Sequence, residues 1–417
     1  MIRAGVAVID ITPPAGLLMA GFAARTEPAE SAHDPLTVRA LAVNETVLVV
    51  ADVIGFHWEM SARVRARCGL PDESLMLCAT HTHGGPVSMT GRLHAAADPG
   101  YLNRLENACV TAIKQARDRR VDAELSFASG ADPDVARNRR HDDGPIDRNL
   151  PVLKVRGKNG QVLAILVNYA CHPVVLGADN RQWTGDYPHF VRAELEAASP
   201  GATAIFLTGC IGDLNTGHSA EASISLAGNP ARSFPAAEAF GKRIAQAVAE
   251  GKDRPLGTDC STALTRVTLT FERREKAPLH SLRKAWLEEA EQSGEARAEL
   301  LKIWADWARD IAPRPLDPLQ ELIATFDWGG MILIGMPGEI FAATALDLRA
   351  ALGDRPVMLA GFSDDNPGYI PPRQEYSFGG YEVDEAHRFY GQPATIAPGC
   401  AEAIRDAALS IAGVGHV

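Results

Sequence analysis

The stretch ATHTHGGP places His81 and His83 two residues apart, just after an apolar run over residues 75–80. In extended backbone such a pair shares one side of the strand, so both imidazoles point the same way. Gly84-Gly85-Pro86 then lets the chain turn close to whatever lies there. Imidazole is the commonest metal ligand, and a carboxylate behind it can orient each ring. On this stretch alone a metal site and a hydrogen-bonded strand end fit equally well.

Four more apolar runs end in polar groups at a turn bearing glycine or proline. Residues 165–171 lead to His172-Pro173, and 331–335 lead to Met336-Pro337-Gly338-Glu339. Residues 357–362 lead to SDDNPGY, 363–369, and 204–208 lead to GCIGDLN, 209–215. Sites in α/β proteins gather in the loops after strands. Five such endings point to one shared polar pocket.

The elements that must hold this pocket follow from periodicity. Segments 4–11, 38–53, 75–80, 123–127, 152–169, 203–208, 263–271, 322–335 and 357–361 are rich in β-branched residues and read as buried strands. Asn44-Glu45 and Lys158-Asn159-Gly160 split two of these runs into hairpins, the second through an Asn-Gly pair suited to a type I′ turn. Helical patterns cover 58–68, 101–119, 188–198, 236–250, 279–309, 340–352 and 401–411. The long, charged segment 279–309 reads as one or two exposed helices joined near Gly294, a candidate lid or insertion. The pattern predicts an α/β (α+β) fold, a mixed β-sheet core with packed helices.

Composition excludes several functions. The chain has 417 residues, 46% of them apolar, and a net charge of −11. No long basic run accompanies that charge, which argues against nucleic-acid binding. No stretch of about 18 apolar residues predicts a membrane span, and no amphipathic membrane anchor stands out. The N-terminus lacks the pattern of a signal or transit peptide. Seven cysteines without CxxC spacing argue against a disulfide framework or zinc ribbon and suggest a reducing, cytoplasmic location. No phosphate-binding glycine motif follows a strand.

AGVAVIDITPP, HDPLTVRALAV, ATHTHGGP, NRR, NYACHPVVL, MPGE and GYIPPRQEY…GYE occur in this order. Together they resemble the catalytic domain of neutral (non-lysosomal) ceramidases, and more closely the short bacterial ceramidase-like hydrolases. The likeness covers most of the chain. It implies one catalytic domain over 1–417; the segment 279–309, by its own pattern, is the candidate insertion or lid within it, and no C-terminal sandwich domain is expected to follow. It also implies one zinc ion per chain at the strand C-terminal ends, held by His81, His172, Glu339 and Tyr369. For Tyr369 the alternative is a hydroxyl lining the pocket, and for Glu339 a carboxylate at a helix N-terminus.

The same resemblance assigns His83 to proton transfer or transition-state stabilisation. Arg139 becomes a guanidinium for a substrate oxygen or carboxylate; its alternative is a salt bridge to Asp142, Asp143 or Asp147. Tyr376 and Tyr381 are candidate donors to an oxyanion. Asp186 orients a histidine or, as the simpler reading, caps the helix after it. Where lipid-cleaving members carry a serine, this chain has Asn215. That departure points away from ceramide itself. The expected activity is zinc-dependent hydrolysis of a C–N amide bond in a small soluble substrate. The alternatives are a lactonase or esterase with the same site and a non-enzymatic ligand-binding protein.

Overall fold

The computed structural model describes residues 1–93, 96–219 and 226–413. Its larger sheet contains β1 (Ile2–Asp10), β2 (Thr37–Val43), β3 (Thr46–Ala51), β4 (Leu75–Ala79), β5 (Val121–Gly130), β6 (Leu150–Gly157), β7 (Val162–Tyr169) and β8 (Thr203–Thr208). Their order is β8-β7-β6-β5-β1-β2-β3-β4, with Arg254–Pro255 added beside β5. The two outermost pairs, β3 with β4 and β7 with β8, are parallel, and the inner pairs are antiparallel. A second sheet runs β9 (Cys260–Leu269), β10 (Leu319–Trp328), β11 (Met331–Gly335) and β12 (Val357–Ala360), parallel only at its last pair. The mixed α/β core expected from the sequence is therefore present.

Side-chain alternation explains why these strands read as continuous apolar runs. Along β3, Val47, Val49 and Ala51 enter one core while Leu48 and Val50 enter another, and all are buried. Both faces of the sheet are covered, so period two carries no polar half. Leu48 and Val50 share their core with Phe326, Trp328, Leu333 and Met358 of the second sheet, which packs face to face on the first. The outer face of the first sheet carries α1 (Trp58–Cys68), α2 (Pro99–Asp118), α3 (Tyr187–Ala198) and α4 (Phe234–Ala249). A hairpin of α5 (Leu279–Ala290) and α6 (Glu295–Asp310) follows. Helices α7 (Ala342–Leu352) and α8 (Cys400–Ile411) cover the outside of the second sheet. The layers run helix, sheet, sheet, helix.

Both expected hairpins form, with Asn44 and Gly160 at positive φ in the turns. Residues 322–335, expected as one strand, are two. Gly329 and Gly330, at φ 67° and 95°, reverse the chain between β10 and β11. The break near Gly294 is also present, with Gly294 as the N-cap of α6. The expectation of exposed helices holds for α5 only. Helix α6 buries Leu300, Leu301, Ile303, Trp304 and Trp307 on one face, the helical spacing of a packed stripe.

Strands β4 and β8 stand at opposite ends of the sheet order, yet their C-terminal ends meet. The Thr208 hydroxyl donates to the Thr80 carbonyl at 2.7 Å. The N–H of Gly361, after β12, donates to the Thr208 carbonyl at 3.1 Å, and Cys78 bridges to Ser363. The curled first sheet and the edge of the second thus bring strand ends from both sheets to one place.

Asp186 holds the chain beside this place. It caps α3 by accepting from Tyr187 N at 2.7 Å, as the simpler sequence reading had it. It also accepts from Val175 N at 3.3 Å and Leu176 N at 3.0 Å, just past His172. Burial raises its carboxyl to about 6 despite these three donors. An acid raised in the folded state favours folding below its unfolded pKa and loses that contribution as pH rises through the folded value. The stability of wild type relative to Asp186→Asn should therefore fall by about 3 kcal/mol between about pH 3 and pH 7. Urea melts of both proteins across that range check it; a difference that rises or stays flat contradicts it.

Candidate metal centre

The loop after β4 is built to present imidazoles. His81 has a left-handed backbone, φ 63°, and its ring stacks on Phe362 at 4.1 Å. Its Nδ1 lies 2.6 Å from the Ile54 carbonyl. A carbonyl can only accept, so Nδ1 carries the proton and Nε2 keeps a lone pair. After β7, His172 repeats the arrangement, with Nδ1 2.9 Å from the Leu214 carbonyl. The turn at Gly84 closes tightly, as the sequence suggested. A Cβ there would stand 2.5 Å from Thr184, whose carbonyl accepts from the Thr82 hydroxyl.

The second sheet supplies the charge. Glu339 follows β11, and residues Glu339–Ile340 pair in parallel with Tyr369–Ile370. Its Oε2 lies 3.1 Å from His172 Nε2 and 3.8 Å from His81 Nε2. Its Oε1 accepts from the Tyr390 hydroxyl. Burial works to raise this carboxyl, but the two histidines and Tyr390 hold it down at about 2. Burial also lowers His81 to about 4, with His172 adding to it against the pull of Glu339.

His83 completes the group. Its Nε2 is 3.4 Å from His81 Nε2, and one nitrogen each from His81, His83 and His172 falls within 4.8 Å of the others. Burial and then the other two histidines push His83 well below its ordinary value. Its Nδ1 is buried without a hydrogen-bond partner among the described residues. The ring lies 4.8 Å from Phe22 and directly on Gly21, and the Arg25 guanidinium donates to its backbone carbonyl.

These contacts test whether the residues fit a metal. With both Nδ1 protons spent on carbonyls, the His81 and His172 lone pairs and the Glu339 carboxylate are acceptors turned on one another. Buried acceptors that face one another are costly unless a donor or a cation lies between them. Ligands at about 2.0–2.2 Å around a tetrahedral ion stand about 3.3–3.6 Å apart, close to the 3.1 and 3.8 Å found here. Two histidines and a glutamate form one of the donor sets of catalytic zinc sites, which leave a further position open. The residues fit zinc.

A cavity of about 50 Å³ opens beside the cluster, lined in part by His83, His172, Arg139, Asn215, Tyr369 and Tyr381. Arg139 donates to the Tyr369 hydroxyl at 3.0 Å and pairs with Glu382 at 2.8 Å. Its partner is thus none of Asp142, Asp143 and Asp147; Asp147 binds Arg349 instead. Tyr369 is the ladder partner of Glu339. Tyr381 meets Tyr369 edge to face at 5.7 Å, and its hydroxyl makes no hydrogen bond among the described residues. Asn215 lines the cavity, but its side chain is engaged within its own loop by Gly217 N, His218 N and the His218 carbonyl. Tyr376 is not brought in: its hydroxyl donates to the Ile396 carbonyl at 2.5 Å.

Four contributors escaped the sequence reading. Tyr390, Gly21 and Phe22 lie in irregular segments that no strand ending announces. Glu382 directly follows Tyr381 in GGYE, and its adjacency was the one available signal.

The layered fold has counterparts of known structure. The chain matches neutral ceramidase from Pseudomonas aeruginosa with a TM-score of 0.77 and 19% identity, over 99% of this chain and 74% of that one. It matches a ceramidase complexed with C2 with a TM-score of 0.75 and 18% identity, again over 99% and 74%. The chain has a ceramidase-like fold. No protein-family model and no curated protein matches its sequence.

The contact between His83 and Gly21 gives a direct check. A Cβ on Gly21 would stand 2.3 Å from His83 Nδ1 at φ +100°, whereas Gly69, at φ +61°, has nothing within 4 Å. Gly69→Ala should cost about 1 kcal/mol for its backbone alone. Gly21→Ala should cost at least about 1 kcal/mol more in a urea melt. Equal costs would mean that the His83 ring is not held against Gly21.

Proposed function

We propose that this chain is a zinc-dependent hydrolase that cleaves a C–N amide bond in a small substrate, and that it acts as one catalytic unit. The observation that carries the reading is the convergence of two imidazole lone pairs and an ionised carboxylate beside a small, half-open cavity. In this reading His81, His172 and Glu339 hold the ion, and Tyr369 stands beside Glu339 as the fourth candidate ligand. Bound there, zinc supplies a Lewis acid that polarises a carbonyl and acidifies water towards neutrality.

The other residues divide the remaining work. Hydrolysis adds water across the C–N bond, so one proton must leave the water and one must reach the departing nitrogen. His83, neutral and close to the His81 lone pair, is placed to carry it. The carbonyl oxygen gains charge as water adds. The Arg139 guanidinium, fixed by Glu382, and the Tyr381 hydroxyl are cavity groups able to donate to it. Asn215, tied into its loop, shapes the wall rather than replacing the family serine as a hydroxyl. The cavity beside the cluster is small, which supports a small substrate.

Two substitutions separate the roles. His172→Ala should retain the fold by circular dichroism and lose both zinc and amide hydrolysis; full activity in this variant would sink the proposal. His83→Ala should keep its zinc and lose about 10²–10⁴ in kcat. Loss of zinc as well would make His83 a ligand. Matched amide and lactone substrates, assayed on the wild type, distinguish an amidase from a lactonase or esterase.

A further inference from the structure

We infer that Tyr390 is a positioning residue for the metal-binding carboxylate, and that the α5–α6 hairpin acts on the centre through it. The inference rests on the metal centre proposed above. The two oxygens of Glu339 have different partners: Oε2 faces the imidazoles and Oε1 accepts from Tyr390. Glu339 has no exposed surface, so water does not replace that donor. The Tyr390 hydroxyl therefore sets the rotation of the carboxylate and keeps one oxygen directed at the histidines.

Tyr390 is itself held from two sides. Its ring packs on Gly368, where a Cβ would stand 3.0 Å away, and the Gly368 carbonyl accepts from Glu339 N. On the other side, the turn that carries Tyr390 is bound to the hairpin. Trp307 of α6 donates its indole N–H to the Gln392 carbonyl at 2.8 Å, and the Gln392 side chain donates to the Pro367 carbonyl at 3.1 Å. The Arg388 guanidinium lies over three indoles, 5.1 Å from Trp286, 4.4 Å from Trp304 and 5.4 Å from Trp307. A cation enclosed by aromatic faces is a strong contact when desolvated. The path runs from both helices through Arg388 and its turn to Tyr390 and Glu339. On this reading the hairpin is a buttress for the carboxylate.

Groups that orient a metal ligand typically change metal affinity by about 10–100-fold when removed. The test measures zinc dissociation constants by chelator competition, and melting temperatures of the zinc-free proteins, for wild type, Tyr390→Phe, Arg388→Met and the double variant. Tyr390→Phe keeps the ring and removes only the hydroxyl. It should bind zinc about 10–100-fold more weakly, and its zinc-free melting temperature should fall only by the loss of this one buried hydrogen bond. Arg388→Met should weaken zinc in the same direction, and the double variant should be no weaker than Tyr390→Phe, because the effect passes through that hydroxyl. Wild-type affinity in Tyr390→Phe overturns the inference, and so do fully additive losses. If Arg388→Met does not fold, Tyr390→Phe decides alone. A wild type that takes up no zinc overturns the metal centre itself, an outcome distinct from equal binding by wild type and Tyr390→Phe.

Discussion

Everything at the centre depends on two sheet edges that meet. His81 follows β4 and His172 follows β7, which are separated by most of the strand order of the larger sheet. They come together because the sheet curls until the Thr208 hydroxyl, at the end of β8, reaches the Thr80 carbonyl after β4. Sheet twist supplies the tendency to curl, and the second sheet packed inside the curve fixes it. Asn168 ties the layers together, donating to the carbonyls of Leu207 and Leu359 while accepting from Leu359 N. Glu339 then arrives from the second sheet. The site is a product of the closure of the fold, and no single loop contains it.

Closure also sets the electrostatics. His81, His172 and Glu339 are almost completely removed from water. Isolated, each would be costly in such a place. The protein spends the Nδ1 protons on backbone carbonyls and leaves the Nε2 lone pairs turned inward. An arrangement that strains the His81 backbone, φ 63°, and confronts acceptors with acceptors has a physical rationale once a cation sits among them. Arg139, Glu382 and Arg140 form an ionic chain that stiffens the cavity wall at Arg139.

Much of this was legible in the sequence, for identifiable reasons. Strands buried on both faces leave long apolar runs, and Asn44 and the Asn159-Gly160 pair mark where two of them fold back. Gly329-Gly330 performs the same reversal between β10 and β11 but sits within an apolar run, so the run read as a single strand. His81, His172 and Glu339 were legible because each follows a strand at a turn. Tyr390 was not, because it lies in an irregular turn whose place is set by Trp307 and Gln392, far apart in sequence. Tyr376 illustrates the converse: a tyrosine in a suggestive motif whose hydroxyl is taken by the backbone at Ile396. Motif proximity gave candidates, and tertiary hydrogen bonding sorted them.

The claim on which the account stands is that this buried cluster is a zinc site. The most direct test is the metal content of the purified protein by mass spectrometry, wild type beside His81→Ala, after both have been offered zinc. The account predicts about one zinc per wild-type chain and none retained by the variant. A wild type that binds no metal, or a variant that binds it as well as the wild type, would contradict it.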